Sequence, residues 1–268
     1  ISKDFAPHAV KAGAVVIDNS SAFRMDPEVP LVVPEVNPQA ILKHKGIIAN
    51  PNCSTIIMVM ALKPIYDLAK IKRVIVSTYQ AVSGAGKEGI DELDAQVREH
   101  SEGREMTANI LPSASAEKHY PIAFNLIPQI DVFCDNLYTK EEMKMVNETK
   151  KIMEDYEMRI TATTIRVPVY RSHSESVNIE LEKEVDLGAM REALAKFPGV
   201  TVQDDPSKQE YPMPLYTSEK DDVYVGRLRR DESCEKSYNM WVVGDQIRKG
   251  AALNTLQIAE TMIKNGWI

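Results

Sequence analysis

The residues with most to offer chemically are gathered in Asn50-Pro51-Asn52-Cys53-Ser54-Thr55. The apolar run Gly46-Ile47-Ile48-Ala49 leads in and an apolar stretch from Ile56 to Leu62 leads out. Cys53 therefore sits where a strand hands over to a helix. Asn52 is suited to cap that helix, and the free N–H groups of its first turn would then face the Cys53 sulfur. Their partial positive charge favours a thiolate, the nucleophilic form of cysteine. A free cysteine is also at home as a small buried apolar residue, and these residues alone leave both readings open.

Other reactive types recur further along. Arg166, Arg171 and His173 lie on or just beyond a β-rich run. A lone histidine is more often structural than catalytic, but cationic neighbours lower its pKa and keep it a neutral base near pH 7. Glu141 and Lys144 are three apart on a predicted helix and share a face, a spacing that by itself suits a solvated ion pair. Tyr79-Gln80, near the end of a long strand, suits core and rim as well as a site. Gly84-Ala85-Gly86-Lys87-Glu88-Gly89 matches the dinucleotide fingerprint literally. The fingerprint needs a second strand with an acidic residue about 20 residues on, and Ser101 to Thr107 shows no strand. The match is rejected as a fingerprint and kept as a glycine turn that lets backbone approach a ligand. A cysteine nucleophile, a histidine base, and arginines and a lysine for carboxylate or phosphate together fit acyl-group chemistry through a thioester.

The elements that must position these residues follow from periodicity. Strands are expected over Ala14–Asp18, Leu31–Val36 (bounded by prolines, hence limited or at an edge) and the run into Asn50. A helix with Pro64 inside it should kink or restart there. Ile71 to Val82 reads as a long strand, followed by a helix with Ile90, Leu93 and Val97 on one face. Ser101 to Tyr120 is polar and irregular. Leu126–Val132 is a further candidate strand, and Glu141–Asp155 a helix. Strands over Ile160–Tyr170, Val177–Leu181, Val200–Gln203, Val223–Arg229 and Met240–Val243 then follow, with helices at Leu187–Phe197 and Ala251–Lys264. Strands alternating with helices early on, then a strand-rich run, predict an α/β layer followed by a mixed or largely antiparallel sheet with one face covered by helices.

The 268 residues, 44% apolar and 26% charged, are an ordinary globular composition with room for a substantial core. A formal charge of -7 argues against a general nucleic-acid or anionic-membrane binder. Three irregularly spaced cysteines form neither a disulfide framework nor a zinc pattern, so no metal is expected and a reducing cytoplasm suits them. No apolar run approaches a membrane span.

Taken together, Asn19-Ser20-Ser21-Ala22-Phe23-Arg24, Asn50 to Thr55, Tyr79 to Gly86, Glu141-Glu142-Met143-Lys144, Arg166 to Ser174 and Gly250-Ala251-Ala252-Leu253-Asn254 resemble the bacterial aspartate-semialdehyde dehydrogenases. The resemblance runs the length of the chain, in the family's order. It implies Cys53 as nucleophile, His173 as acid/base, Gln80, Arg166 and Glu141 as substrate ligands, and Arg24, Asn52 and Lys144 as a phosphate site. Ser83, Gly84 and Gly86, with Asn19, Ser21 and Gln246, would lie against NADP. The implied fold is a partial doubly wound, Rossmann-like nucleotide-binding domain (1-52, rejoined by 245-268) and an α+β catalytic and dimerisation domain (53-244). The implied partners are aspartate semialdehyde, inorganic phosphate, aspartyl phosphate and a second copy, as a homodimer or dimer of dimers. The implied reaction is reductive dephosphorylation of aspartyl phosphate on the route to lysine, threonine, methionine and diaminopimelate.

One departure stands out. The family's first strand, glycine-rich phosphate loop and adenosine-binding residues have no counterpart in these 268 residues, and if that segment is absent from the molecule the expectation is weak NADP binding and negligible activity. Rival readings are a related acyl-phosphate reductase of the N-acetyl-glutamyl-phosphate type, a cysteine hydrolase, and an inactive fragment that serves assembly.

Overall fold

A computed structural model describes residues 1–268. The chain opens with α1 (Ser2–Lys11), a helix that the scattered apolar residues of this segment did not signal. β1 (Val16–Asp18) and β2 (Ile47–Ala49) then pair in parallel as a small two-stranded sheet. Leu31–Val36 is not a strand. Only Leu31 bridges to Ala49, because Pro30 and Pro34 lack the N–H that a continuing ladder requires. The segment is buried all the same, and Val32 packs with Ile41, Ile48, Ile258 and Met262.

α2 (Cys53–Leu68) runs without interruption through Pro64, contrary to the expected break. β3 (Ile71–Gln80), α3 (Lys87–Ser101), α4 (Lys140–Ile152), β4 (Arg159–Arg166), β5 (His173–Leu181), α5 (Leu187–Lys196) and β6 (Val200–Val202) follow. The short α6 (Pro214–Thr217), then β7 (Val223–Arg230), β8 (Ser237–Gly244) and α7 (Leu253–Lys264), complete the chain. The six longer-range strands form one mixed sheet in the order β4-β3-β5-β8-β7-β6, with β3/β4 and β6/β7 parallel and the other pairs antiparallel.

Leu126–Val132 contributes a single bridge, Ile127 to Arg166, rather than a strand. β3 stops at Gln80, where the chain enters a tight turn over Val82–Ala85. β5 begins at His173, four residues before the expected start. Its polar opening His-Ser-Glu-Ser carries no strand signal. It is extended because β3 and β8 pair with it on both sides.

The core lies between this sheet and α2, which is buried on nearly all sides from Ser54 to Leu62. Such a helix, with little polar face, belongs inside the molecule. α4 and α5 flank it, and α7 packs back against the β1–β2 unit through Ile258 and Met262. No helix is long and apolar enough to cross a membrane.

Candidate active site

Cys53 is the first residue of α2, and its setting is made by Asn52. The Asn52 backbone is extended (φ -61°, ψ 145°), and its Oδ1 accepts from the N–H groups of Ser54 (3.1 Å) and Thr55 (3.2 Å). Such a cap contributes about 1 kcal/mol to the helix. Its Nδ2 donates to Glu141 Oε1 (2.9 Å) and its main-chain N–H to Glu148 Oε2 (2.6 Å). On the other side lies Gly250, where a methyl group would come within 2.9 Å of Cys53 Cβ. Gly250 reaches this close because Arg248–Ala252 forms a π turn, closed by Gly250 N–H to Asp245 O (3.2 Å) and Ala252 N–H to Ile247 O (3.0 Å). Wide turns of this kind are common at functional sites.

The helix N-terminus does not by itself yield a thiolate. Burial pushes the Cys53 thiol up to about 12, and Glu141 adds to the rise. The Ser54 N–H, Arg166 and Arg24 pull the other way and lose. The sequence-based expectation of a lowered pKa is corrected on this point: desolvation of the anion outweighs the first-turn N–H groups.

The sheet supplies the next three groups. Gln80 and Arg166 end neighbouring strands in register, and His173 opens the strand on the other side of β3. Gln80 Nε2 donates to Ser54 Oγ (2.8 Å) and Glu141 Oε1 (3.2 Å), which ties β3 to α2 and α4. Arg166 Nη1 donates to Ala81 O (2.7 Å), and His173 Nδ1 accepts from Ala81 N–H (3.0 Å). Ala81 thus orients both. Gly84 closes over them, since a methyl group there would lie 2.8 Å from Arg166 Nη1 and 3.3 Å from His173 Cε1.

Arg166 Nε and His173 Nε2 are buried without a protein partner. Burial, and then the Arg166 charge, hold the His173 pKa well below its ordinary value, so the ring is neutral. The Ala81 N–H can only donate, so the lone pair lies on Nδ1 and the ring proton on Nε2. His173 therefore enters as a hydrogen-bond donor at its free nitrogen. The neutral base expected from the sequence has the right charge, but its basic nitrogen is occupied.

Helix α4 completes the site. Thr139 and Glu142 form a capping box at its start, which fixes the first turn carrying Glu141. Glu141 and Lys144 are not the solvated surface pair their spacing allows. Glu141 is buried, with Lys144 Nζ 3.1 Å from its Oε2 and 3.0 Å from Asp131 Oδ2. Burial would push the Glu141 carboxyl up, but Lys144 and the donors Asn52 and Gln80 hold it below its ordinary value. Lys144 stays charged because Glu141 and Asp131 outweigh its own burial. Arg24 lies behind Asn52, donating to Asn50 O (2.9 Å), Asn19 O (3.0 Å) and Glu148 Oε1 (3.3 Å). Arg24, Asn52, Glu141, Gln80 and Lys144 thus form one hydrogen-bonded network, with Arg166 and His173 joined to it through the β3 terminus.

The remaining candidates are placed as follows. Ser83, in the turn that carries Gly84 and Gly86, accepts from Gln246 Nε2, while Gln246 Oε1 accepts from Ser172 N–H (2.9 Å). A glycine pressed against Arg166 and His173, beside a hydroxyl held by an amide, is a backbone surface that fits a flat ring such as a nicotinamide. Asn19 Oδ1 accepts from Asn50 Nδ2 (2.7 Å) at the edge of the network, and Ser21 is exposed on the same turn. Arg171 turns away to Asp245 (2.6 Å). No group of three or more metal-ligating side chains is present. Sequence reasoning quoted Gly250 in the C-terminal motif but gave it no role, and it missed Glu148. Glu148 was signalled by its spacing, seven residues after Glu141 on the same helix.

Residues 62–249 match the family model of the semialdehyde dehydrogenase dimerisation domain, and residues 1–44 that of the NAD-binding domain. The chain is 56% identical to the aspartate-semialdehyde dehydrogenase of Aquifex aeolicus, over all of this chain and 77% of that protein. The chain belongs to the aspartate-semialdehyde dehydrogenase family. Among solved structures of this family, aspartate semialdehyde dehydrogenase II of Vibrio cholerae complexed with ASA superposes with a TM-score of 0.92 at 47% identity, covering 98% of this chain and 76% of that one. The Candida albicans aspartate semialdehyde dehydrogenase with NADP gives 0.75 at 25% identity, over 100% and 76% of the two chains. The expected mixed α/β architecture and the family assignment both hold.

Proposed function

We propose that this protein carries out the NADP-dependent reductive dephosphorylation of aspartyl phosphate to aspartate semialdehyde through a thioester on Cys53. The observation that carries the reading is the pair of buried, unpartnered nitrogens, Arg166 Nε and His173 Nε2, at neighbouring strand ends, with a cysteine at a helix start on which the Arg166 charge acts. A buried guanidinium without a carboxylate partner suits a ligand carboxylate held through two parallel N–H bonds. The buried, charged Glu141 suits a free ammonium group. That match favours an aspartyl substrate over an N-acetylated one, whose amide is neutral.

Each residue then has a physical task. Ammonium binding offsets Glu141, one of the two influences that raise the Cys53 pKa, so the substrate helps to generate the thiolate that attacks it. The thiolate displaces phosphate from the acyl carbon, and Arg24, Asn52 and Lys144 hold the leaving anion. When bound against Ser83, Gly84 and Gly86, NADP supplies the hydride chemistry; Gln246 holds Ser83 in place, and Asn19 and Ser21 lie at the margin. His173 donates a hydrogen bond from its Nε2–H to the oxygen that becomes negative at the tetrahedral stage, without giving the proton up. That proton is available because Ala81 keeps it off Nδ1. Collapse then releases the aldehyde and restores the cysteine.

The dimerisation-domain match, and a sheet face bearing Tyr79 against Trp241 (ring centroids 5.5 Å apart), support a homodimer or a dimer of dimers built on that face. The three cysteines are free, which suits the reducing cytoplasm where a pathway to lysine, threonine, methionine and diaminopimelate would operate. The test is Cys53→Ala and His173→Ala in the native polypeptide, followed by NADPH oxidation with aspartyl phosphate. The expected loss is on the order of 10³-fold or more for each, and full activity in either variant overturns its assignment.

A further inference from the structure

Helix α4 meets the nucleophile's cap twice. Glu141 reaches the Asn52 side chain, and Glu148, two turns on along the same face, reaches the Asn52 main chain. Glu148 is 1% exposed, and its two oxygens are divided between elements. Oε2 accepts the Asn52 N–H at 2.6 Å, and Oε1 accepts Arg24 Nη1 at 3.3 Å. The Arg24 segment is held to the same helix by Lys151, whose Nζ donates to the carbonyls of Arg24 (2.8 Å), Asp26 (2.6 Å) and Val29 (2.8 Å). Glu141, Lys144, Glu148 and Lys151, three and four residues apart, form one charged face, whose two carboxylates meet Asn52 and whose Lys151 holds the Arg24 segment.

We propose that Glu148 is a positioning residue. Its carboxylate fixes the separation between the anion-holding Arg24 and the main chain that carries Cys53, so that leaving phosphate and attacking sulfur stay aligned. The inference rests on the roles of Cys53 and Arg24 proposed above. A purely structural function fits the observations less well. Burial pushes the Glu148 carboxyl up to about 6 although Arg24 and the Asn52 N–H favour its charge, and Glu141 adds to the rise. A buried acid held against that opposition is a poor source of stability compared with an apolar side chain of the same size. Groups that lock the orientation of reacting residues are, however, a recurrent requirement of catalytic sites.

Glu148→Gln, Glu148→Asp and Glu148→Ala in the native polypeptide test the proposal, with kinetics run in the direction that consumes semialdehyde and phosphate. Glutamine keeps one acceptor oxygen at the right reach, for the shorter Asn52 bond, and gives up the Arg24 bond to its NH2, whereas aspartate is one methylene too short for either. The expected order of kcat is therefore wild type, then Gln, then Asp and Ala together, the last two reduced by roughly 100-fold. The half-saturating phosphate concentration should rise about tenfold in Asp and Ala, with the KM for semialdehyde moving far less. Two results overturn the proposal. One is kcat within twofold of wild type in every folded variant. The other is a parallel rise in both KM values with no advantage of Gln over Asp. Should the alanine variant fail to fold, the Gln and Asp pair still decides. Activity retained by Cys53→Ala would instead remove the proposed function itself, so the two failures are distinct.

Discussion

Gly84→Ala and Gly86→Ala separate steric from conformational control within one turn. A Cβ on residue 84 would lie 2.8 Å from Arg166 Nη1 and 3.3 Å from His173 Cε1, without the positive φ that would strain alanine. Arg166 must retreat by about half an ångström to reach ordinary contact, yet its Nη1 is bound to Ala81 O at 2.7 Å and the side chain is buried. The retreat therefore weakens that bond and moves the carboxylate anchor proposed for the substrate. A displacement of about 1 Å costs on the order of 100-fold in rate, so roughly a 10- to 100-fold fall in kcat/KM is expected for Gly84→Ala. Stability should change by less than about 1 kcal/mol, because the turn is solvent-facing and the substitution buries nothing unsatisfied. At Gly86 the pattern is reversed. Its φ is +84° and an added Cβ meets nothing within 4 Å, so alanine costs about 1 kcal/mol in backbone strain and leaves Arg166 untouched. Steady-state kinetics beside thermal melts of both variants is the assay. Gly84→Ala with kcat/KM for semialdehyde within twofold of wild type would refute the close approach as a determinant of the site.

Three further outcomes are expected. Asn52→Ala removes two cap bonds and one donor to the buried Glu141, so it should destabilise by roughly 2–4 kcal/mol; an unchanged melting temperature would contradict the network described. Arg166→Lys retains the charge but loses the planar fork, and should lower kcat/KM about 10- to 100-fold, mainly through KM for semialdehyde; wild-type kinetics would show that no two-point carboxylate contact is made. Glu175, buried on β5 with neither oxygen partnered, is pushed well above the ordinary carboxylate range by burial. Its contribution to stability is complete at low pH and is lost as pH rises through the raised value. Glu175→Gln should therefore gain melting temperature relative to wild type at about pH 8 more than at about pH 5, and identical pH slopes for the two proteins would refute the assignment.

Much of the architecture was legible because it rests on local pattern. The long β-branched run to Gln80, the helix start at Cys53 and the amphipathic α7 follow from periodicity and capping, which neighbouring residues enforce. Segments whose structure depends on a distant partner were not legible. His173 to Ser176 are polar and yet form a central strand, because β3 and β8 pair with them. Leu31–Val36 is apolar and yet forms none, because prolines interrupt its N–H row. The same division runs through the site. Residue types, with the family resemblance their motifs carry, pointed to Cys53, Arg166, His173 and the Glu141–Lys144 helix, the groups that the proposed thioester chemistry needs. Charge states were decided only by tertiary structure: burial raises the Cys53 thiol where the helix start alone would lower it. The Ala81 N–H places the His173 proton on Nε2, and two turns of α4 bring Glu148 to the main chain ahead of the cysteine. Desolvation and hydrogen-bond direction belong to the assembled neighbours of a residue, which a sequence read along the chain does not contain.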